Sequence, residues 1–442
     1  MADVDRGTPR SYRVLRHRDY RLLWAGETIS VAGSQIQRAA VAWQVFELTK
    51  DPIQLGILGL CRFVPIILFG LAGGVLADQG DRRRTLLATQ SILLSTSALL
   101  ALLTWADAIS MPAIYALVVI AAIVESVANP TRQALIPLLV PRAELPAASN
   151  INLVGLHVAS VGGPALGGLL IAWLDVGVAY LVDTLSFLVV IGALLAMHAR
   201  PVLPPLVSGG FAAVLEGLRF LRGSPVLLGV MITDFLATFF GVSTALMPIF
   251  AGDVLDAGPR GLGLLLAAPA VGAVVSAVVL GLTRMPNRAG LVVLISVAVY
   301  GACLTGFGLS RTLWLSLLFL AGSGAADSVS MTLRHGMRAL LTPDPLRGRI
   351  AAVNRTLAAG GPQLGEFEAG VLAAFIGAGP AVTLGGIATI LTAGVVARRF
   401  PQIPRHRLSA AIASEAPVDV REPAGAEPRQ RLLDTAGNNA RR

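Results

Sequence analysis

The chain has 442 residues, of which 55% are hydrophobic and only 14% are charged, and its mean hydropathy is +0.72. Soluble domains carry roughly a quarter charged residues, so this composition excludes an ordinary soluble protein and indicates one whose main solvent is lipid. The net charge of +9 does not indicate binding to nucleic acid, because the arginines are scattered over the breaks between apolar segments instead of forming one basic face.

Twelve apolar segments follow one another along the chain, and each is long enough to cross a bilayer as a tilted helix. Lipid cannot satisfy open backbone groups, and the sequence lacks the alternation of a membrane barrel. We therefore expect an all-α polytopic membrane protein with 12 transmembrane helices. The predicted segments are 22–48, 53–77, 85–105, 112–136, 149–173, 177–197, 225–250, 261–283, 290–310, 313–336, 350–376 and 380–397.

The basic residues predict the orientation of these segments. The N-terminal arm and the breaks after even-numbered segments hold 18 of them, whereas the breaks after odd-numbered segments hold only Lys50, Arg260 and Arg311. Loops rich in arginine and lysine remain in the cytoplasm. We expect a multi-pass protein of the cell (inner, cytoplasmic) membrane with both termini in the cytoplasm.

The longest internal break separates the first six segments from the last six. It contains three prolines and then apolar residues at helical spacing, as is typical of a linker with an interfacial amphipathic helix. The tail has no sustained apolar face and is expected to be disordered. The predicted domains are a cytoplasmic arm (1–21), a six-helix half (22–197), the cytoplasmic linker (198–224), a second six-helix half (225–399) and a cytoplasmic tail (400–442).

The two halves repeat each other. In segments 4 and 10 an acid is followed seven residues later by an arginine and nine residues after that by a proline, and segments 5 and 11 share a Gly-Gly-Pro-x-Leu-Gly passage. Internal repeats are typical of transporters whose halves rock around a central site. The repeated residues are Glu125, Arg132 and Pro141 with Asp327, Arg334 and Pro343, and passages 162–167 with 360–365.

The break between segments 2 and 3 resembles the signature loop of the major facilitator superfamily. It departs from that signature at Gln79, where a basic residue is usual, and at Asp81, where glycine is usual. Passages 182–188, 216–221 and 346–350 are similar to the branch of the superfamily that holds enterobactin exporters and Tap-like or macrolide efflux proteins. The residues that carry the loop resemblance are Gly74, Leu76, Ala77, Asp78, Asp81, Arg82 and Arg83.

The resemblance implies the major facilitator fold and a cytoplasmic gate motif made of Gly74, Asp78, Arg82 and Arg83. In such a motif the acid pairs across to the other half, where Arg349, Arg355 or the N-terminal dipole of helix 11 is the expected partner.

Segment 5 resembles part of the antiporter signature of the superfamily, which is linked to drug/proton exchange. Asn150 and Ala159 stand where that signature has glycine. The alternative interpretation is ordinary packing of small residues, which lets neighbouring helices approach closely. The matching residues are Gly163, Pro164, Gly167 and Gly168.

Several charged residues lie inside the predicted segments, where an unpaired charge costs roughly 2.5–3.5 kcal/mol. Glu125 and Asp327 are the leading candidates for proton coupling, because they lie near mid-segment at equivalent positions of the two halves. Each is alternatively a structural acid paired with an arginine. Further coupling candidates are Glu27, Asp234 and Glu366, and the candidate charge partners are Arg38, Arg62, Arg349 and Arg355.

Two smaller expectations concern the same charges. Glu366 and Glu368 point about 200° apart on a helix, so at most one of them lines a cavity. Arg132 and Arg334 either pair with acids or anchor to lipid headgroups.

The functional expectation follows from these features. The sequence has no phosphate-binding loop and no nucleophile–base–acid set in a soluble segment, so we expect no ATPase, no enzyme, no cofactor and no metal site. We expect a secondary exporter that exchanges protons for a siderophore-like or antibiotic-like molecule by alternating access. The alternatives are a broad multidrug pump and, from another class, a non-transporting membrane receptor or scaffold. The expected partners are a small-molecule substrate, protons and the lipid bilayer, and the protein is expected to be a monomer.

Overall fold

The computed structural model describes residues 10–78, 81–198, 219–241, 244–283, 288–343 and 346–405. Within these ranges, side chains are described for all residues except 10–12, 70–78, 347, 352, 355, 356, 359 and 405. Most of the predicted linker (199–218), the start of the arm (1–9) and the predicted tail beyond 405 lie outside the described residues.

Twelve long helices dominate the described part of the chain, and they coincide with the twelve predicted segments, so the all-α polytopic prediction is confirmed. Among the described residues, ten spans are long and apolar enough to cross a membrane, and the other two long helices, α1 and α11, carry charged side chains. The helices are α1 (Arg18–Thr49), α2 (Pro52–Asp78), α3 (Arg82–Trp105), α4 (Met111–Leu139), α5 (Leu145–Trp173), α6 (Val176–Ala196), α7 (Pro225–Gly241, with further helical turns from Thr244 to Val254), α8 (Gly258–Leu282), α9 (Ala289–Leu309), α10 (Leu313–Leu341), α11 (Arg347–Ile376) and α12 (Ala378–Arg399).

Local capping explains two of the short connections between helices. The Asp81 carboxylate accepts hydrogen bonds from the backbone N–H groups of Arg83 and Arg84 at the start of α3. The Asp175 carboxylate accepts one from the backbone N–H of Val178 at the start of α6. An aspartate in this position satisfies N–H groups that have no partner inside the helix, so each new helix begins within a few residues of the previous one.

The packing of the first six helices is repeated by the last six. In the first half α1 packs on α5 and α6, α4 packs on α2 and α3, and α3 packs on α6. In the second half the corresponding pairs are α7 with α11 and α12, α10 with α8 and α9, and α9 with α12. The halves meet where α2 crosses α11 and where α5 crosses α8, and the repeat also exchanges these two crossings.

The buried apolar residues are clustered differently at the two ends of the molecule. We call the end where α1 begins and α12 ends the terminal end, and the other the opposite end. At the opposite end, one cluster of buried residues draws side chains from all twelve helices, including Phe46 of α1 and Phe307 of α9. At the terminal end, the clusters among the described residues each lie within one half, around Leu86 and Leu194 in the first and around Met337 in the second. Among the described side chains, the two halves therefore share an apolar core at the opposite end and not at the terminal end.

Candidate functional site: a cavity between the two halves

A cavity of about 500 Å³ lies between the halves and is lined by residues of both. Its volume falls within the range of sites for small organic molecules, which are mostly apolar with a few placed polar groups. Apolar side chains such as Leu58, Leu265 and Met331 form much of the wall. Four charged side chains of the described residues line it: Arg38 and Arg62 from the first half, and Asp327 and Glu366 from the second.

Asp327 lies on α10, and nearly half of its side chain (44%) is exposed. One of its carboxylate oxygens is 3.3 Å from Arg334 of the same helix. That arginine is almost fully buried and is closer to Asp234 of α7, at 3.1 Å. Asp234 also pairs with Arg338 at 3.3 Å. Asp234 is thus held between two arginines, whereas Asp327 keeps much of its surface toward the cavity.

The first half has a corresponding pair between its first and fourth helices. Glu27 of α1 is buried and forms an ion pair with Arg132 of α4, just as Asp234 of α7 does with Arg334 of α10. Each acid stands nine residues after the first residue of its helix. Of the two expectations for Arg132 and Arg334, the geometry places both in ion pairs inside the protein, and lipid anchoring does not describe them.

Glu125 and Asp327 differ in their surroundings although they are equivalent in the repeat. Glu125 forms an ion pair with Arg38 of α1 at 3.4 Å, which is the paired arrangement that the sequence left open. It lines a smaller pocket that also contains Arg38, Arg62 and Gln363. The central cavity is lined by Asp327 and not by Glu125.

Among the side chains that the structure describes, one ion pair joins the two halves. Arg62 of α2 is 3.6 Å from Glu366 of α11, and both side chains are largely buried. Glu366 lines the central cavity and Glu368 does not, as expected for two acids two residues apart on a helix.

Sequence reasoning did not select Gln363. It lines both pockets, and its buried side-chain oxygen has no hydrogen-bond partner among the described atoms. The signal that identifies it is its position three residues before Glu366, which puts both on one face of α11.

The glycines of the antiporter-like passage in α5 lie against other helices. Gly163 and Gly167 pack on α1, where a methyl group at Gly163 would collide with Ala32 and Gln35. Gly168 faces the other half, and a methyl group there would collide with the backbone of Gly263 on α8. Pro164 lines the cavity. The passage therefore allows both α1 and the second half to approach α5 closely.

The arginines of the predicted gate motif hold α3 to its own half. Arg82 is buried and donates to the carbonyl of Ala134 near the end of α4, at 3.0 Å. Arg83 donates to the carbonyls of Leu194 and Leu195 in the last turn of α6, at 2.7 and 2.9 Å. The carbonyls of Leu194 and Leu195 belong to the last four of α6, which have no partner within the helix.

The structure describes less about the other residues of the predicted gate motif. Gly74, Asp78 and Arg355 lie in helices whose backbone is described, but the surroundings of these three residues are not among the described contacts. Arg349 is half-buried in the first turn of α11. The predicted pairing of Asp78 across the halves stays a prediction. Among the described residues, no group of three His, Cys, Asp or Glu side chains is placed to hold a metal ion.

Comparison with known proteins agrees with this architecture. The chain is 28% identical to the enterobactin exporter EntS of Escherichia coli O1:K1 and to that of Shigella dysenteriae serotype 1 over 344 residues, which is 76% of this chain and 80% of each relative.

Solved structures share the fold. A bacterial homolog of the human lysosomal transporter Spinster, inward-facing and occupied, matches with a TM-score of 0.69 and 16% identity, covering 91% of this chain and 99% of its own. A bacterial homologue of the iron transporter ferroportin, inward-facing, matches with a TM-score of 0.64 and 16% identity, covering 85% and 98%.

A family model, described as transmembrane secretion effector, matches residues 10–424, almost the whole chain. Together with the twelve-helix fold and its repeated halves, this match shows that the chain is a multi-span membrane transporter that belongs to the transmembrane secretion effector family of the major facilitator superfamily.

Proposed function

We propose that this chain exports a siderophore-like or antibiotic-like small molecule across the inner membrane in exchange for protons, by alternating access. The observation that carries the proposal is the cavity between two repeated halves, which contains carboxylates and is closed at one end by a core common to both halves. The similarity to exporters of enterobactin supports a siderophore-like substrate.

The distribution of basic residues supports a cytoplasmic terminal end. The described side chains form a core common to both halves at the opposite end, which supports a state that opens toward the cytoplasm in this orientation. It is the state in which an exporter takes up its substrate. Rocking of the halves about the α2–α11 and α5–α8 crossings would then open the opposite end.

Two of the five candidate coupling acids have the surroundings that proton exchange requires. Asp327 and Glu366 line the cavity, so a proton and a substrate can reach the same space. Glu125, Glu27 and Asp234 are each held by arginines of a neighbouring helix and lie outside the cavity lining. We therefore place the exchanged proton on Asp327 or Glu366, and we assign the other three acids to holding α1 and α7 against α4 and α10.

In this cycle the gate motif acts at the cytoplasmic end. Arg82 and Arg83 hold the start of α3 against α4 and α6, which supports a fixed position for the first turn of α3 during the cycle. On this proposal the pairing of Asp78 with the second half controls when the cytoplasmic end opens.

The alternative function within transport is a broad multidrug pump, and the largely apolar wall of the cavity favours it. A receptor or scaffold has little use for acids in a central cavity, so we rank it last. The protein is expected to act as a monomer, because each chain contains both halves and the complete cavity.

The test uses inside-out membrane vesicles with an acidified lumen, in which export appears as uptake. We expect uptake of an iron-free siderophore or an antibiotic that stops when a protonophore removes the gradient, and that is lost in Asp327→Asn or Glu366→Gln. Glu368→Gln is the matched control, since Glu368 lies outside the cavity lining, and it should transport normally. Uptake that is insensitive to the protonophore in the native protein would contradict proton coupling.

A further inference from the structure

The charges of the cavity are divided by sign between the two halves. Arg38 and Arg62, which are cationic, come from α1 and α2, and Asp327 and Glu366, which are anionic, come from α10 and α11. Arg62 and Glu366 are largely buried in their own ion pair. Arg38 and Asp327 are different, since 45% and 44% of their side chains are exposed.

Each of these two exposed groups is only loosely held by its own half. Arg38 contacts Glu125 at 3.4 Å and the side-chain oxygen of Gln35 at 3.2 Å. Asp327 contacts Arg334 at 3.3 Å. Charge-assisted hydrogen bonds in their strong form are about 2.7–2.9 Å long, so both groups keep most of their capacity for a further partner.

A ligand that uses Asp327 leaves no arginine unpaired. Arg334 keeps its closer contact with Asp234, at 3.1 Å, and Asp234 is also supported by Arg338. On the other side of the cavity, a ligand that uses Arg38 leaves Glu125 beside a second arginine, Arg62, which lines the same small pocket and interacts with it electrostatically. Binding between the halves therefore avoids the large cost of an isolated buried charge.

We propose that the cavity selects amphoteric molecules, with an anionic group bound by Arg38 of the first half and an ammonium or similar cationic group bound by Asp327 of the second. The apolar wall between them, which includes Leu58, Leu265 and Met331, takes the body of the molecule. This assignment rests on the proposed export function and specifies its substrate class. It also gives the substrate one contact in each half, so that binding acts on both halves at once.

The test measures binding to purified protein by equilibrium dialysis, without any gradient, using three related quinolones. Norfloxacin is zwitterionic at pH 7, its methyl ester keeps only the ammonium group, and nalidixic acid keeps only the carboxylate. We expect native protein to bind norfloxacin about tenfold more tightly than either analogue, since one charge-assisted contact is worth about that factor.

The two charge variants should change the affinities for the three compounds in different ways. Arg38→Gln should lower norfloxacin affinity about tenfold and leave the methyl ester unchanged, and Asp327→Asn should do the same for norfloxacin while leaving nalidixic acid unchanged. Arg38→Lys should restore most of the affinity for norfloxacin. Met331→Leu changes the same cavity without changing its charge, so its effect should be equal for the three compounds.

Three results would overturn the assignment. The first is equal affinity of the native protein for the zwitterion and the methyl ester, and the second is a loss of affinity in Arg38→Gln that is the same for all three compounds. The third is no binding of any of them at 1 mM probe concentration, which is roughly a thousandfold above the Kd of a micromolar site. Because no gradient is involved, these outcomes are distinct from failure of the proposed export. Export fails if vesicles show no gradient-driven uptake, and the charge pattern of binding is then still decided by dialysis.

Discussion

The guanidinium of Arg62 on α2 lies 3.6 Å from the carboxylate of Glu366 on α11, and this ion pair bridges the two halves beside the cavity. The backbones at Gly56 and Gly59 of α2 approach α11 closely around it. The repeated counterpart of this crossing, α5 with α8, has Gly168 against Gly263 instead. A change of charge at the cavity can therefore act directly on one of the two crossings and only indirectly on the other.

Glu366→Gln should weaken the α2–α11 crossing, because it leaves Arg62 near Arg38 without the carboxylate that offsets their repulsion. We expect the population open at the opposite end to rise about tenfold, the effect of ~1.4 kcal/mol. Spin labels at Leu48 and Phe375, exposed residues of opposite halves at that end, measure the change as a longer distance.

Two variants control this measurement. Glu368→Gln removes a charge from the same helix outside the cavity and should leave the distance distribution unchanged. The double exchange Arg62→Glu with Glu366→Arg should return it toward that of the native protein. An unaltered distribution in Glu366→Gln would show that the ion pair does not hold the halves together.

Asp234→Asn should destabilise the protein much more than Asp327→Asn, although both acids contact Arg334. Asp234 is the closer partner of Arg334, which is only 2% exposed, and it also pairs with Arg338. Loss of Asp234 therefore leaves these two arginines with one neighbouring carboxylate, that of Asp327. Breaking a buried pair costs about 3–5 kcal/mol, whereas the half-exposed Asp327 should cost under about 1 kcal/mol. Thermal unfolding in detergent compares the two, and equal shifts would contradict the central position given to Asp234.

Gly168→Ala should disturb the α5–α8 crossing, because the added methyl group meets the backbone of Gly263. We expect slower transport and fewer cross-links between cysteines placed at the ends of α5 and α8 that meet there. Gly162→Ala is the matched control on the same helix, since nothing lies within 4 Å of the point where its methyl group would stand. Similar losses in both variants would indicate a general effect on α5 and not one at the crossing.

Arg83→Ala should lower stability by about 1.5–3 kcal/mol, since it removes charge-assisted hydrogen bonds to two carbonyls at the end of α6. Arg84→Ala, one residue further, removes a side chain that is 85% exposed and pairs only locally with Asp81. That change should cost well under about 1 kcal/mol. The unfolding temperatures of the two variants provide the measurement, and an Arg83 variant as stable as the Arg84 variant would refute the role of these bonds.

The equivalence of Glu125 and Asp327 could be predicted from their identical spacing to the next arginine and proline. Their different surroundings could not, because these depend on Arg38, which is 87 residues away from Glu125 in the chain. The partner of Glu27 is likewise 105 residues away. Spacing within a helix identifies residues on one face, and it does not tell which helix that face meets.

The amino-acid sequence was enough to establish the twelve helices and the repeat of the halves, because in lipid each segment must satisfy its own backbone hydrogen bonds and must do so with apolar side chains. It also supplied the acids and arginines, since a charge in an apolar segment is conspicuous. Three outcomes required the folded structure: which charges face the cavity, which pair between α1 and α4 or α7 and α10, and that Arg62 meets Glu366 across the halves. They depend on the rotation of each helix about its axis, and packing against neighbouring helices sets that rotation.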